Sequence, residues 1–193
     1  MSQLELNNAN IIPFFADIFN RLGADSYLGE DVTMSEHMLQ SAFKAEQAGE
    51  SDETITAALL HDIGHYTGEF PENYIELGVD NQHETTGAAI LEKFFPAEVS
   101  EPVRWHVEAK RYLCAVEPDY FSGLSEASVK TLELQGGPLN SAQIEEFEKN
   151  PHLEAIIRVR RYDDGGKLAG VITPEISYYL DIAQTVLNES ADS

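Results

Sequence analysis

The sequence predicts an all-α fold, on three observations. Apolar residues recur at helical spacing in one segment after another, few stretches alternate as strands do, and the breaks fall at Gly, Pro or capping residues. No internal repeat or linker divides the chain. Its 193 residues, 42% hydrophobic with nine Phe, suffice for a sizeable core. We therefore expect one domain over 1–193, with a helical-bundle core over about 10–188 and a short tail over 189–193.

The elements follow in order. Ile11, Phe14, Phe15, Ile18, Phe19 and Leu22 give a first amphipathic helix that Gly23 ends, and a loop runs from Asp25 to Glu30. Thr33 and Glu36 form a capping box for a second helix to about Ala48. Met34, His37, Met38, Ser41 and Ala45 share one face of it, which turns His37 inward. A third helix spans Asp52 to Ile63, and Gly68 to Gln82 is an irregular polar loop. Helices are then expected over Thr85–Phe95, stopped by Pro96, and over Glu98–Tyr112. Further helices are expected over Ser125–Leu134, Ser141–Asn150 and Leu153–Arg161. Asp163-Asp164-Gly165-Gly166 reads as a turn. Thr173 and Pro174 cap a last helix to about Leu187, and Ser190 onward should fray.

The charge narrows the function. Thirty-four acidic residues against twelve basic ones give −22, which opposes nucleic acid or an anionic membrane as partner. No apolar run approaches a membrane span, the first residues are acidic where a signal peptide is basic, and the lone Cys114 fits a reducing compartment, so a cytoplasmic location is expected. Half of the cations fall in two short stretches, Arg104, Lys110, Arg111 and Arg158, Arg160, Arg161. They read either as helix-face partners of the abundant Glu or as a local anion pocket.

Ala57-Ala58-Leu59-Leu60-His61-Asp62-Ile63-Gly64-His65 carries the strongest chemical signal. Four apolar residues lead into a carboxylate that is costly to bury unless something compensates it. A metal ion would, since it takes both imidazole nitrogen and carboxylate oxygen; a helix end reaching solvent is the alternative. Of six histidines, His37, His61, His83 and His106 follow one another at intervals of 24, 22 and 23 residues, each on or at the mouth of a separate helix. An up-down bundle would return one ligand to the same level each time, enough with Asp62 for two metals bridged by its carboxylate. A further carboxylate is expected, and Asp163 is the candidate by order.

His37, His61-Asp62 and a distal Asp resemble the HD-domain superfamily of metal-dependent phosphohydrolases. A narrower resemblance covers Tyr27 to about Lys167. Tyr27-Leu28-Gly29-Glu30, the His61–His65 motif, His83-Glu84, His106 to Leu113, Leu124 to Ser128, Thr131 to Pro138 and Arg160 to Asp163 resemble the HD-domain mixed-valent diiron oxygenases of organophosphonate breakdown. That resemblance implies an HD-domain helical bundle holding an Fe(II)/Fe(III) pair. With O2 as co-substrate the pair would cleave the C–P bond of a zwitterionic 1-hydroxy-2-aminoethylphosphonate or its trimethylamino analogue, releasing phosphate and glycine or glycine betaine.

It also implies roles. His37, His61, Asp62 and Asp163 would hold one iron, and Asp62, His83 and His106 the other. Lys110, Arg160 and Ser128 would bind the phosphonate. Tyr27 would occupy a metal position until substrate arrives, and Glu30 would face the substrate cation. His65, one turn past His61, would support the centre without binding metal. Glu69, Phe70, Glu72, Tyr74 and Asp80 suit a quaternary ammonium, favouring the trimethylamino substrate slightly. A hydrolytic HD enzyme acting on a phosphate ester, or a non-catalytic HD module, are the competing readings.

Overall fold

The computed structural model describes residues 5–27, 30–67 and 81–191. Among them are ten α-helices and no sheet, only an isolated bridge between Ser26 and Thr33. Helix α1 (Ile11–Leu22) buries Ile11, Phe15, Ile18 and Phe19 along one stripe. Helix α2 (Met34–Gln47) starts from the expected capping box: Thr33 Oγ1 accepts from the Glu36 N–H at 3.2 Å, and Glu36 accepts from the Thr33 N–H at 2.7 Å. Helix α3 (Asp52–Leu60) is capped by Ser51 and buried at every position from Thr54 to Leu60, where apolar side chains and two threonines face the core on all sides.

A short α4 (Gly64–Thr67) follows, then α5 (His83–Leu91), α6 (Ala97–Val116), α7 (Glu126–Leu134), α8 (Ser141–Phe147), α9 (Leu153–Gly165) and α10 (Ile176–Ala191). Helices α2, α6, α9 and α10 pack around α3, with α5 against α6 and α1 against α10. The main core is built around α3, and a smaller one gathers Ala109, Leu139, Phe147 and Ile156 under Trp105 and Tyr112.

Several boundaries depart from expectation for identifiable reasons. The third helix ends at Leu60 and not Ile63, because bonds from Ile63 to Leu60 O, His65 to Asp62 O and Tyr66 to Ile63 O tighten the chain to three-residue spacing. The next helix opens at His83 from a left-handed Gln82 (φ 45°) and ends at Leu91. The one after runs longer than Glu98–Tyr112, from Ala97 to Val116. Ser141–Phe147 stops short of Asn150. No turn forms at Asp163-Asp164-Gly165-Gly166, since α9 continues to Gly165 with Arg160 tied to Asp163 and Asp164 three and four residues on. The glycines there allow close approach to α2: a Cβ on Gly165 would lie 2.9 Å from Lys44, and one on Gly166 2.6 Å from Ser41 Oγ. The last helix does not fray at Ser190, whose hydroxyl donates to Val186 O at 2.8 Å as α10 runs to Ala191.

Candidate metal centre

Five helices meet at one buried point. His37 comes from α2, His61 and Asp62 from the end of α3, His83 opens α5, His106 lies midway along α6, and Asp163 sits in the last turn of α9. All six are buried. The two Asp62 oxygens divide the histidines between them. Oδ2 lies 3.5 Å from Nε2 of both His37 and His61, while Oδ1 lies 3.2 Å from His83 Nε2 and 3.5 Å from His106 Nε2. Asp163 Oδ1 stands 3.4 and 3.8 Å from the His37 and His61 nitrogens. The donor atoms of His37, His61 and Asp62 lie within 4.8 Å of one another, and so do those of Asp62, His83 and His106.

The far nitrogens fix how these rings present themselves. His61 Nδ1–H donates to Ala58 O at 2.8 Å, His106 Nδ1–H to Val103 O at 2.7 Å, His37 Nδ1–H to Gly166 O at 3.0 Å and His83 Nδ1–H to Asn81 Oδ1 at 2.9 Å. With each Nδ1 protonated, a neutral ring turns a bare Nε2 lone pair to the centre. The close Nε2 contacts, 3.0 Å for His37–His61 and 3.1 Å for His83–His106, then pair two acceptors. Asp62 Oδ2 and Asp163 Oδ1 are buried with no hydrogen-bond partner. Burial opposes the charge on Asp62, and neutral rings with their lone pairs turned inward do nothing to offset it. Converging lone pairs and stranded anionic oxygens in a dry core are what a cation resolves. The residues present fit two metal ions with Asp62 between them.

His65 is placed beside this set. Its ring stacks on His83 with centroids 4.0 Å apart, and its Nδ1 accepts from the Asn81 amide at 3.0 Å. That leaves the proton on Nε2, 3.9 Å from Asp62 Oδ1. Burial, then the neighbouring His83, push the His65 pKa down to about 3, so the ring is neutral.

A cavity of about 30 Å³ opens onto the centre, lined on its far side by Lys110, Ser128, Thr131, Arg160 and Lys167. A single water needs about 10–15 Å³ on this measure, so the cavity is small for a phosphonate and lining groups would move aside to admit one. Tyr27, one of them, lies with its ring stacked on His37 at 3.9 Å. The Glu30 N–H donates to Tyr27 O at 2.7 Å, and Glu30 has one buried, unpartnered carboxylate oxygen, but it does not line this cavity. Leu28, Gly29 and the aromatic and acidic loop positions Glu69, Phe70, Glu72, Tyr74 and Asp80 lie outside the described residues.

The two cationic stretches resolve unevenly. Lys110 and Arg160 face the cavity. Arg104 pairs with Glu92 and Glu101, Arg111 with Glu108, Arg158 with Glu50 and Glu154, and Arg161 with Glu117. Ion pairing thus engages those four and also Arg160, which meets Asp163 and Asp164, while Lys110 bonds the Thr131 hydroxyl. Several neighbours of the centre carried no motif signal: Asn81, the Gly166 carbonyl, Lys167, and Tyr120 and Asp164 beside Arg160. For Asn81 a clue existed, an amide two residues before a candidate ligand.

The HD domain profile matches residues 34–158. The chain is 50% identical over 185 residues to the 1-hydroxy-2-(trimethylamino)ethylphosphonate dioxygenase (glycine-betaine-forming) of Leisingera caerulea, covering 96% of this chain and 94% of that one. It is 47% identical over 166 residues to the hydroxymethylphosphonate dioxygenase of Gimesia maris, covering 86% and 83%. Protein L432 of Acanthamoeba polyphaga mimivirus is 34% identical over 191 residues, covering 97% and 85%. The chain therefore belongs to the HD-domain family, in the group that holds these phosphonate dioxygenases.

Proposed function

We propose that this chain is a diiron oxygenase that cleaves the C–P bond of a 1-hydroxyphosphonate. Its preferred substrate is the zwitterionic 1-hydroxy-2-(trimethylamino)ethylphosphonate, converted with O2 to glycine betaine and phosphate; the unmethylated analogue would give glycine. The observation that carries this reading is the division of the Asp62 oxygens between two histidine pairs beside an anion-binding wall. The relative at 50% identity supports the choice of substrate. No helix among the described residues is long and apolar enough to cross a membrane, in keeping with a small-molecule enzyme that acts as a single domain in the cytoplasm.

In this reading His37, His61, Asp62 and Asp163 hold one iron and Asp62, His83 and His106 the other. The iron pair, when bound, supplies O2 activation and electron transfer. Both oxygen atoms are retained, one in the new carboxylate and one in phosphate, which balances loss of the C1–H and the C–P bond. The protein's part is positioning. Lys110 and Ser128 direct N–H and O–H donors at the phosphonate, with Arg160 on the same wall. Glu30 supplies negative charge for the ammonium end, and Tyr27 swings off His37 to make room. The test measures O2 uptake and phosphate release with the trimethylamino substrate and with hydroxymethylphosphonate. Stoichiometric O2 consumption with the former is expected; phosphate released at full rate without oxygen would identify a hydrolase and sink the proposal.

Two further outcomes follow from the surroundings. Asn81→Ala removes the acceptor that fixes the His83 tautomer, and should weaken one of the two iron sites by about 10–100-fold while Asn81→Asp, which keeps an acceptor oxygen, retains it. Iron per chain after dialysis against a chelator reads this. Lys110 is buried, and burial together with the neighbouring Arg160 guanidinium pushes its ammonium down to about 7. A lysine depressed in the fold costs stability increasingly as pH falls from its unfolded value toward 7, and by a constant amount below. Lys110→Met should therefore melt higher than wild type by about 2–4 °C, with the gap widest at or below pH 7 and shrinking toward pH 10. The same variant should lose substrate affinity by about tenfold or more. Equal melting at pH 7 and pH 9.5 would contradict the first claim, and unchanged affinity the second.

A further inference from the structure

Helix α6 turns His106 into the metal centre and carries a second stripe, Glu101, Trp105 and Glu108, on another face. Across from that stripe stand Glu146 and Phe147 of α8 and the following Pro151, and together they line a groove of about 330 Å³. The groove shares no lining residue with the cavity at the metal centre. Pockets that take small molecules run from about 300 to 1,000 Å³, so this one has room for a small ligand.

Its floor is aromatic and fixed. Trp105 is half-buried, and its Nε1–H donates to Glu101 Oε2 at 2.9 Å. With the N–H edge spent, the indole offers the groove carbon surface, and a bond to an anion enriches its π face. Phe147 is buried beside it with ring centroids 6.3 Å apart, and Tyr112 backs Phe147 at 5.2 Å.

The walls are negative, but their acceptors are taken. Glu101 accepts from Arg104 as well as from Trp105, both Glu108 oxygens accept from Arg111, and Glu146 accepts from Lys149 at 2.7 Å. Four carboxylates, Glu92, Glu101, Glu108 and Glu146, stand against three cations, Arg104, Arg111 and Lys149. Glu145 and Glu148 add to that excess. An anion is repelled here, and a neutral apolar molecule leaves the charge unused. A primary ammonium brings three N–H donors that must compete with arginine and lysine for the same oxygens. An alkylated ammonium needs no acceptor, because its methyl shell meets carbon and its charge meets the π face and the carboxylate field.

We propose that the groove between α6 and α8 binds a small alkylated ammonium against Trp105. Trp105 is the only tryptophan in the chain, so its fluorescence reads the groove directly. Iron-loaded full-length protein is titrated at constant ionic strength with choline and, separately, with its neutral isostere 3,3-dimethylbutan-1-ol. Choline should saturate the signal at about 1–10 mM and bind at least about fivefold more tightly than the alcohol. The double variant Glu108→Gln, Glu146→Gln should weaken choline by about threefold or more and leave the alcohol unchanged, which also shows that the groove has kept its shape. Three results overturn the proposal: no saturable response to choline below about 100 mM, a smaller margin over the alcohol, or a double variant that binds choline as wild type does. The first two need no variant, so they decide the matter even if the double variant fails to fold.

Discussion

Asp62→Asn is expected to empty both metal positions and abolish oxygen-dependent phosphate release while leaving the fold intact. The substitution preserves shape but exchanges one carboxylate oxygen for an NH2 and removes the charge. Each oxygen of Asp62 serves a different histidine pair, at 3.2–3.5 Å, so whichever way the amide turns, one pair meets a donor in place of an acceptor. The other pair keeps an oxygen without the negative charge that offsets two cations. Loss of a group that merely supports a ligand costs a metal site about 10–100-fold in affinity, and loss of the shared ligand should exceed that at both positions together. The measurement is iron per chain with a melting curve on the metal-free protein, using the exposed Asp181→Asn as a control. A variant that keeps one iron tightly would show that Asp62 serves a single metal, and the dinuclear reading would fall.

The part of this centre that the sequence displayed is the part built from local pattern. Thr33 and Glu36 announced a helix start, and the apolar face it opens pointed His37 inward. The even spacing of four histidines followed from helices returning through one level of a bundle, and the expectation of another carboxylate led to Asp163. Long-range packing hid the rest. Asp-Asp-Gly-Gly signals a turn by propensity, but Arg160 bonding to both carboxylates and the approach to α2 carry the helix through it. A glycine carbonyl that accepts from a histidine 129 positions away leaves no mark on the chain. Equally, the clustered arginines looked alike in sequence, and only the fold shows which of them meet a glutamate and which meet the cavity.

Gly64→Ala should be the most damaging alanine substitution among the described glycines. A Cβ built on Gly64 falls 1.9 Å from the His83 carbonyl oxygen, 2.7 Å from its carbon and 2.8 Å from the Gly87 nitrogen. All three are backbone atoms, so no side chain can rotate away and the start of α5 must shift bodily from α4. That shift moves His83 off Asp62 Oδ1 and its Nδ1 off Asn81, linking a packing fault to the metal centre. Overpacking of a core costs about 1–3 kcal/mol where side chains can adjust, and a rigid backbone contact belongs at or above the top of that range. For a domain of this size the melting temperature should fall by about 6–12 °C, at about 2–4 °C per kcal/mol. Gly123→Ala is the matched control, since nothing lies within 4 Å of its Cβ position and its φ is not positive. It should be neutral or slightly stabilising. Iron loading adds a second readout, because Gly64→Ala should lose metal from the His83–His106 side while the His37–His61 side retains its donors. A melting temperature within about 1 °C of Gly123→Ala, or full iron content at both positions, would show that α4 and α5 separate freely and that the glycine of the His-Asp-Ile-Gly-His motif does not set the distance between them.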